Sequence, residues 1–316
     1  MRLIHGYREL APGDRGASAA IGNFDGVHLG HQVLIEDARK AGMAAGAPLG
    51  VITFEPHPRR HFQPDAPPFR LTTGPERARI LEGLRVERLY QLRFDAALAG
   101  MEAEDFVREV LVAGLGIRHI VVGADFHFGR RRRGDAVLLR AMSGELGFGV
   151  TIHEMIGDET GEFASTALRV LIEEGRCRDA ARQLGRWHTV SGRVIEGDRR
   201  GRTLGYPTAN LDFGEQLIPR FGIYAARVTV HDGPHRGTHD GVASIGERPT
   251  FGRNRPNFEV HLFDFAGDLY GAEISAGLVQ RLRGEARFDS VEQLIAQMDR
   301  DSAEAQVVLA EAVVPA

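Results

Sequence analysis

The chain has 316 residues, of which 43% are hydrophobic and 26% charged, a balance typical of a globular protein with a substantial core. Its net charge of −4 gives no global basic field for nucleic acid, and its single cysteine excludes an internal disulfide or a multi-cysteine metal site. Residues 1–10 are too polar for a signal peptide, and no apolar run approaches the roughly 18 residues that span a bilayer, so we expect a soluble cytoplasmic protein of about two domains.

The first half alternates short apolar segments with segments of helical periodicity. His28, His57 and Asp125 each follow a predicted strand. The alternation is typical of a parallel, doubly wound sheet, whose ligands bind beyond the carboxyl ends of the strands, so we expect these three residues to line one crevice. Strands are predicted at 19–21, 49–54, 117–123 and 150–152, and helices after His31 and at 75–84, 102–115, 138–146, 165–174 and 179–184.

Residues 21–31, Ile-Gly-Asn-Phe-Asp-Gly-Val-His-Leu-Gly-His, form the most informative segment of the chain. An apolar strand, a glycine turn and an amphipathic helix fit this order, and the spacing of three places His28 and His31 on one helical face. A helix N-terminus favours an anion, and Gly22, Gly26 and Gly30 allow a nucleotide to approach the backbone closely. The segment is therefore interpreted as a phosphate site of the HxGH nucleotidyltransferase kind.

Three alternatives stay open for this segment. An HxxH pair binds zinc in some proteins, but no glutamate lies between these histidines and no third ligand is near in sequence. Two surface histidines on an ordinary helix are the second alternative. A dinucleotide-binding turn is the third, although the G-x-G-x-x-G pattern is absent here.

The second half changes character near Gly185. Several short strands without intervening helices favour an antiparallel barrel, and a closing helix is predicted over 290–312. We therefore expect an α/β domain at 1–185 and a barrel domain at 186–316. The strands are predicted at 189–195, 222–230, 241–245, 257–265 and 272–274, with turns at Gly197-Asp198, Asp232-Gly233, Gly252 and Gly267-Asp268.

Two further segments of the first half carry residue types that bind rings or phosphate. Residues 123–135 follow a strand and contain Phe126 and Phe128, which can pack on a planar ring, and four arginines, which can meet phosphate. Ser165 can cap a helix, with Arg169 one turn further on the same face. The alternatives are a solvated basic loop over two core phenylalanines, and an ordinary N-cap followed by a surface arginine.

Two segments of the second half carry oxygen-bearing side chains. Thr208 and Asn210 are two apart, so in an extended segment they point the same way and offer oxygen to a hard cation such as Mg²⁺. Glu259 lies on a strand with alternating apolar residues, where a carboxylate can act as a general base. A proline-bearing turn and a strand with one wet face are the structural alternatives.

The order of these segments along one chain is specific, and it resembles the bacterial bifunctional riboflavin kinase/FMN adenylyltransferase family, also called FAD synthetase. The resemblance covers nearly the full length. It departs from the family at His127, where arginine is common, and at Ala164, where serine is common. The matching motifs are Gly22 to His31, Thr53 to Pro58, Asp125 to Gly129, Ser165 to Arg169, Gly205 to Asn210, Arg248-Pro249-Thr250-Phe251, Glu259-Val260-His261 and Asp268 to Gly271.

The resemblance implies a Rossmann-like nucleotidyltransferase domain with a parallel sheet, followed by a riboflavin kinase-like antiparallel β-barrel with a terminal helix. In the barrel, ATP is expected to phosphorylate the ribityl 5′-hydroxyl of riboflavin. Thr208 and Asn210 then hold Mg²⁺ against the ATP phosphates, and Glu259 accepts the hydroxyl proton. These roles come from the family and suit phosphoryl transfer, which depends on positioning and charge neutralisation.

In the N-terminal domain, the resemblance implies that the FMN phosphate attacks the α-phosphorus of a second ATP, giving FAD and pyrophosphate. No protein nucleophile is required, so the domain orients the reactants and stabilises charge. The residues expected to do so are the catalytic His28, His31 and Arg169, the phosphate-binding Gly22, Asn23, Phe24, Asp25, Gly30, Ser165 and Thr166, and the flavin-binding Phe62, Phe106, Asp125 and Phe128.

Two other functions stay open at this point. One is another HxGH nucleotidyltransferase with an unrelated barrel, against which the Pro-Thr-Ala-Asn segment at 207–210 argues. The other is a flavin-binding protein without catalysis. The expected partners are the small molecules ATP, riboflavin and FMN, with no nucleic acid or membrane, in a monomer or weak homo-oligomer.

Overall fold

The computed structural model describes residues 1–154, 157–158, 161–197, 204–250 and 253–314. The chain divides into two compact units, Met1–Ala66 with Arg77–Ala164, and Pro67–Glu76 with Ser165–Ala316. The second unit thus begins before the predicted boundary at residue 185 and also takes a segment from the first half. Within the described ranges, no helix is both long and apolar enough to cross a bilayer.

The first unit is built on a six-stranded parallel sheet, which confirms the predicted α/β class. Its strands lie in the order β1-β4-β3-β2-β5-β6. The strands are β1 (Arg2–His5), β2 (Ser18–Ile21), β3 (Leu49–Glu55), β4 (Arg88–Arg93), β5 (His119–Gly123) and β6 (Gly149–His153), and a small ribbon joins β7 (Gly157–Asp158) to β8 (Gly161–Glu162). The helices are α1 (Leu29–Ala45), α2 (Pro58–Phe62), α3 (Gly74–Gly83), α4 (Ala96–Gly100), α5 (Ala103–Asp105) and α6 (Ala136–Leu146), with 3₁₀ turns at Pro12–Asp14 and Arg130–Arg132.

Apolar side chains cover both faces of this sheet. Ala19 and Ile21 of β2 face one core, whereas Ala20 between them faces a second core. A strand that is buried on both sides reads as a continuous apolar run, as β2 and β3 do. Helix α1 ends where Gly46 adopts a left-handed conformation, with φ of 59°, that a glycine takes without strain.

The segment predicted as one α-helix over 102–115 differs in form. After α5, the chain continues as a π-helix at Phe106–Gly114. The amide of Leu115 donates to the carbonyl of Val110 at 2.8 Å, a bond that spans five residues. The predicted apolar positions are all buried, so the prediction of an amphipathic helix was right about the buried face and wrong about the winding.

The order of the strands brings together the loops that follow β2, β3 and β5. Strands β2 and β5 are neighbours in the sheet, and the chain passes from β2 to β3 on one side and from β5 to β6 on the other. The loops after β2, β3 and β5 therefore meet at a topological switch point, the place where open α/β sheets bind ligands. These are the loops that carry His28, His57 and Asp125, as predicted.

The second unit is built on a six-stranded antiparallel sheet in the order β10-β13-β12-β11-β14-β9. The sheet curls, and a single bridge between Ile195 and Asn210 joins its two edges, which confirms a barrel-like architecture. Its elements are α7 (Ser165–Glu173), α8 (Cys177–Leu184), β9 (His188–Arg193), β10 (Ala209–Leu211), β11 (Gly222–Val230), β12 (Gly237–Thr250), β13 (Arg253–Leu262), β14 (Glu273–Arg283) and the terminal helix α9 (Val291–Ala310).

Alternation along the strands separates the inside of the barrel from its outer face. In β11, Tyr224, Ala226 and Val228 face the barrel core. Ala225 points the other way and packs with Leu309 of α9. The terminal helix therefore covers part of the outer face.

Residues 67–76 belong to the second unit; residues 69–71 pair with the chain near 215–217, and α3 begins at Gly74. The amide of Arg70 donates to the carbonyl of Glu215 at 3.0 Å, and the amide of Leu217 donates to the carbonyl of Arg70 at 2.8 Å. The side chain of Leu71 is buried in the apolar cluster that also contains Leu217. The barrel unit thus includes a piece of chain from the first half, which the sequence pattern did not predict.

Candidate active sites

The first candidate site begins at the N-terminus of α1. His28 is the N-cap of this helix, and its Nδ1 accepts a hydrogen bond from the amide of His31 at 3.3 Å. The two imidazole rings stack, with 3.7 Å between their centroids. The two histidines are adjacent, but they do not share a helical face as predicted, because His28 is the extended cap residue and only His31 lies in the first turn.

Gly30 is the residue that allows this stack. A Cβ atom at position 30 would lie 3.1 Å from His28 Nδ1 and 3.3 Å from the carbonyl oxygen of Phe163. Both distances are tighter than ordinary contact, so any side chain here would push the His28 ring or the backbone. Glycine at position 30 therefore lets the His28 ring and the Phe163 carbonyl keep their positions, which a Cβ atom would shift by a few tenths of an ångström.

The turn before α1 is held by side chains from β3 and α3. The carbonyl oxygen of Asn23 accepts from Thr53 Oγ1 at 3.1 Å and from Arg77 Nη1 at 3.2 Å. Arg77 is buried and also forms an ion pair with Glu55 at 2.9 Å. Buried charge-assisted bonds of this kind hold geometry tightly, so the ends of β2 and β3 keep a fixed spacing. Sequence reasoning did not single out Arg77, which carries no motif of its own.

His57 follows β3 and caps α2, since its Nδ1 accepts from the amide of Arg59 at 3.1 Å. In the loop after β5, Asp125 is exposed, and its carbonyl oxygen accepts a hydrogen bond from His127 Nδ1 at 2.8 Å. The left-handed backbone of Arg131 and Arg132 shapes the basic end of this loop.

The three predicted flavin-stacking phenylalanines have different surroundings. Phe62 is 66% exposed, whereas Phe106 and Phe128 are only 3% and 6% exposed. The last two contact each other in the core, with ring centroids 5.5 Å apart. Both rings are packed in the core, so neither presents an exposed face to a flavin. Sequence periodicity alone could not distinguish these core positions from positions that line a binding surface.

An aromatic cluster that the sequence reasoning missed surrounds Phe62. Phe94, which follows β4, lies 5.8 Å from Phe62 and 5.8 Å from Phe54 between ring centroids. His61 contacts both Phe62 and Phe94 edge to face. Rings in this arrangement form an apolar surface at the carboxyl edge of the sheet. The strand β4 was not predicted, so Phe94 had no place in the expected crevice.

Ser165, Thr166 and Arg169 lie at the start of α7, in the second compact unit. The Nε of Arg169 donates to the carbonyl oxygen of Phe69 at 2.8 Å, and its guanidinium lies 5.9 Å from the centre of the Phe69 ring. Their predicted action together with His28 and His31 stays a prediction.

The second candidate site lies on the outer face of the barrel, where β10 pairs with β13. Glu259 is the cross-strand partner of Asn210. The carboxylate of Glu259 accepts from Asn257 Nδ2 at 2.7 Å and from Thr208 Oγ1 at 3.4 Å. A carboxylate, a hydroxyl and two amides therefore lie close together, and the Asn257 amide among them was not predicted from the sequence.

Asn210 is held by the closure of the barrel. Its carbonyl oxygen accepts from the amide of Ile195, and its side chain packs directly against the backbone of Gly197. Asn210 is buried, while Thr208 beside it is half-buried. Their hydroxyl and amide oxygens are the hard donors that suit Mg²⁺, so the donor set fits the implied metal. In the described ranges, no group of three His, Cys, Asp or Glu side chains is placed to hold a metal ion.

Two aromatic side chains support the segment that carries Thr208. The His261 ring lies 5.0 Å from the Tyr206 ring, and its Nδ1 bonds to the carbonyl oxygen of Pro207 at 2.8 Å. The Tyr206 hydroxyl donates to Asp299 of α9. Burial, together with the hydrogen bond to Asp299, raises the pKa of Tyr206, so this hydroxyl stays a donor. The terminal helix thus braces the Pro-Thr-Ala-Asn segment.

Two family models match the chain in succession, one described as FAD synthetase over residues 11–167 and one described as riboflavin kinase over residues 184–309. The bifunctional riboflavin kinase/FMN adenylyltransferase of Escherichia coli (strain K12) is 39% identical over 302 residues, which cover 95% of this chain and 96% of the relative. The protein of the same description from Pseudomonas fluorescens is 39% identical over 311 residues, which cover 98% of each chain. The chain belongs to this bifunctional family.

A solved structure has the same fold. The crystal structure of a protein described as a macrolide-efflux protein from Streptococcus pneumoniae matches with a TM-score of 0.82 and 32% identity, over 97% of this chain and 99% of that chain. The efflux description applies to that protein. For this chain, the match establishes that the order of parallel-sheet unit, curled antiparallel sheet and terminal helix is shared.

Membership of the bifunctional riboflavin kinase/FMN adenylyltransferase family confirms the resemblance that the sequence motifs indicated. One of those motifs lies only partly within the described residues. Phe251 of the Arg248-Pro249-Thr250-Phe251 motif lies outside the described residues, as do the predicted turn residues Asp198 and Gly252.

Proposed function

We propose that this chain makes FMN from riboflavin and ATP in its barrel unit, and FAD from FMN and a second ATP in its parallel-sheet unit. The observation that carries the proposal is the pair of sites in one chain of the bifunctional family. One site has the stacked His28 and His31 at a helix N-terminus, and the other has Glu259 between Asn257 and Thr208. We also propose that both reactions take place in the cytoplasm, in a monomer or weak homo-oligomer.

In the kinase reaction, Glu259 acts as the general base. It accepts the proton of the ribityl 5′-hydroxyl as that oxygen bonds to the γ-phosphorus and the bond to the β-phosphate oxygen breaks, releasing ADP. Asn257 holds one carboxylate oxygen at 2.7 Å, which fixes the direction of the other. Thr208 and Asn210 would hold Mg²⁺, which neutralises phosphate charge when bound.

In the adenylyltransfer reaction, a phosphate oxygen of FMN attacks the α-phosphorus of ATP, and pyrophosphate leaves. The chain supplies no nucleophile, because FMN already carries an anionic oxygen. His28 and His31, together with the first amides of α1, stabilise the charge that grows on the α-phosphate and on the leaving group. The turn at 22–25 then carries the ATP phosphates, and Ser165, Thr166 and Arg169 complete the phosphate contacts.

The flavin of the adenylyltransfer reaction is proposed to stack on Phe62, because this ring is largely exposed at the sheet edge. Asp125, exposed in the loop after β5, is proposed to contact the same flavin. Phe106 and Phe128 are buried, so we propose that they support the floor of this site from the core.

One assay tests the function directly. The full chain is incubated with riboflavin, ATP and Mg²⁺, and the flavin products are separated over time. FMN should form first, and FAD should follow with release of pyrophosphate. A chain that binds flavin but consumes no ATP would instead be a catalytically silent flavin-binding protein, and adenylyl or cytidylyl transfer to another phosphate compound would indicate a different HxGH nucleotidyltransferase.

A further inference from the structure

The outer face of β12 and β13 carries other residues near Glu259, the proposed general base. Ser244 is the cross-strand partner of Glu259, and Gly246 is the partner of Asn257. Side chains alternate along a strand, and the neighbouring Phe258 points into the barrel core. Glu259, Asn257, Ser244 and Gly246 therefore share the face on which the kinase reaction is proposed to occur.

A second carboxylate rests on this face. A Cβ atom at Gly246 would overlap Glu285 Oε1 and lie 3.2 Å from Glu285 Cδ. The carboxylate of Glu285 therefore lies directly against the backbone of Gly246, in the room that the missing side chain leaves. Residues two apart on one face of a strand are separated by roughly 7 Å, so Glu285 lies about that far along the face from the position of Glu259.

The segment that presents Glu285 is anchored. It follows β14, and Arg283 near the end of that strand forms a two-point ion pair with Asp301 of α9, with distances of 2.8 and 2.6 Å. The carboxylate of Glu285 itself is exposed. A fixed backbone with an exposed carboxylate on the reaction face is the arrangement expected of a residue that contacts a substrate.

We propose that Glu285 accepts a hydrogen bond from a secondary hydroxyl of the ribityl chain and so aligns the terminal hydroxyl with Glu259. The inference rests on the proposed kinase function. A ribityl chain is a row of hydroxyl donors, and a carboxylate is an acceptor only, so two carboxylates spaced along one face complement it. Gly246 has the further role of leaving space for the Glu285 carboxylate.

The test compares two full-chain variants that remove this contact by different routes, Glu285→Ala and Gly246→Ala. Alanine at 246 meets only the flexible end of the Glu285 side chain, so this variant displaces the carboxylate without disturbing the strand. Kinase rates are measured with riboflavin and with a flavin whose side chain is 5-hydroxypentyl, which keeps the terminal hydroxyl and lacks the secondary ones. FAD formation from FMN and thermal unfolding are measured in parallel.

Losing one hydrogen bond between the substrate and a charged side chain is expected to raise KM by about ten- to hundredfold. We expect KM for riboflavin to rise by that factor in both variants, with a smaller change in kcat and no change for the hydroxypentyl flavin. Glu285→Gln, which keeps an acceptor oxygen, should recover part of the loss. The double variant should behave like Glu285→Ala alone. Gly192→Ala, which meets only ordinary contacts in β9, and Glu304→Ala, at an exposed position on α9, should behave like the native chain.

Equal effects on riboflavin and on the hydroxypentyl flavin would overturn the proposal, as would unchanged kinetics in both single variants. These results differ from a failure of the proposed function. In that case the native chain itself would form no FMN, or Glu259→Gln would leave FMN formation intact.

Discussion

Glu76 accepts a hydrogen bond from the hydroxyl of Ser275 at 2.8 Å, across 199 positions of the sequence. Its other carboxylate oxygen accepts from Thr189 Oγ1 at 3.0 Å, and Ser275 in turn bonds to His231 Nε2 at 2.7 Å. Glu76 is only 6% exposed. A buried carboxylate is stable only when it is paired and hydrogen-bonded, so these contacts hold the segment 67–76 within the barrel unit.

We therefore expect Glu76→Ala to lower the free energy of unfolding of the barrel unit by about 3 kcal/mol, since charge-assisted hydrogen bonds to buried hydroxyls are lost. The single tryptophan, Trp187, precedes β9 and reports on this unit in a urea titration followed by fluorescence. Glu104→Ala, at an exposed position on α5, is the control. Equal midpoints for the two variants would contradict the anchoring role.

The ion pair between Arg283 and Asp301 is expected to be a second determinant of stability. Asp301 is 3% exposed and also accepts from Gln297 Nε2 at 2.8 Å. Asp301→Ala leaves the guanidinium partly buried without its partner, which costs about 3–5 kcal/mol. The same urea titration measures this loss, with Asp289→Ala as an exposed comparison. A change under about 1 kcal/mol, the usual worth of a surface pair, would show that the pair is effectively solvated.

Glu259→Gln should slow FMN formation by about two to four powers of ten, the usual contribution of a general base. The amide keeps the size of the side chain but cannot accept the proton. Steady-state kinetics with riboflavin measure the effect, and FAD formation from supplied FMN serves as the internal control. Near-normal turnover of riboflavin would remove Glu259 from this role.

The double variant His28→Ala with His31→Ala should abolish FAD formation and leave FMN formation largely intact, because both histidines lie in the parallel-sheet unit. Loss of the His28 cap also costs about 0.5–2 kcal/mol of stability for α1. Circular dichroism is needed to show that the variant is folded. Parallel loss of both activities in a folded variant would refute the assignment of the two reactions to separate sites.

A pH dependence of stability is expected from His188. Complete burial, together with the nearby Arg186, lowers the pKa of His188 to about 3. In the unfolded chain the pKa is near 6.5, so between these values the unfolded state binds the extra proton and stability falls as the pH falls. The barrel unit should lose about 1–2 kcal/mol between pH 7 and pH 5 from this residue.

The same urea titration at the two pH values measures this loss, and His188→Leu should show a smaller difference between them. Within the described residues, His188 Nε2 has no hydrogen-bond partner, so leucine removes the titration without breaking a bond there. An unchanged pH difference in this variant would assign the dependence to other groups.

Much of the fold follows from local pattern. The strands β3 and β5, the helices α6 and α8, and the terminal helix α9 were all predicted within a few residues, because each has a clear apolar period and a clear stop. The edge strand β1 and strand β4 were missed, because each has charged residues at its ends and only a short apolar part. Short strands of this kind are stabilised by their neighbours in the sheet more than by their own sequence.

The residues of the candidate sites also fall into two groups, those that motifs predicted and those that only the structure revealed. The motifs predicted that His28 and His31 lie close together and that Thr208, Asn210 and Glu259 belong to one site, since motifs fix residue type and spacing. The ring stacking and the contact between Thr208 and Glu259 came from the structure. Arg77, Phe94 and Glu285 were missed, because each reaches its site from a distant part of the chain.

Periodicity and motifs are local properties, so the amino-acid sequence alone indicates a parallel-sheet half and a barrel half, each with a family-specific set of polar residues. Three other features emerge only in the folded chain: residues 67–76 belong to the barrel unit, Phe106 and Phe128 are core residues, and the Glu285 carboxylate lies against Gly246. These features depend on which surfaces meet after folding, and the free energy of burial that selects them is shared among residues far apart in the chain.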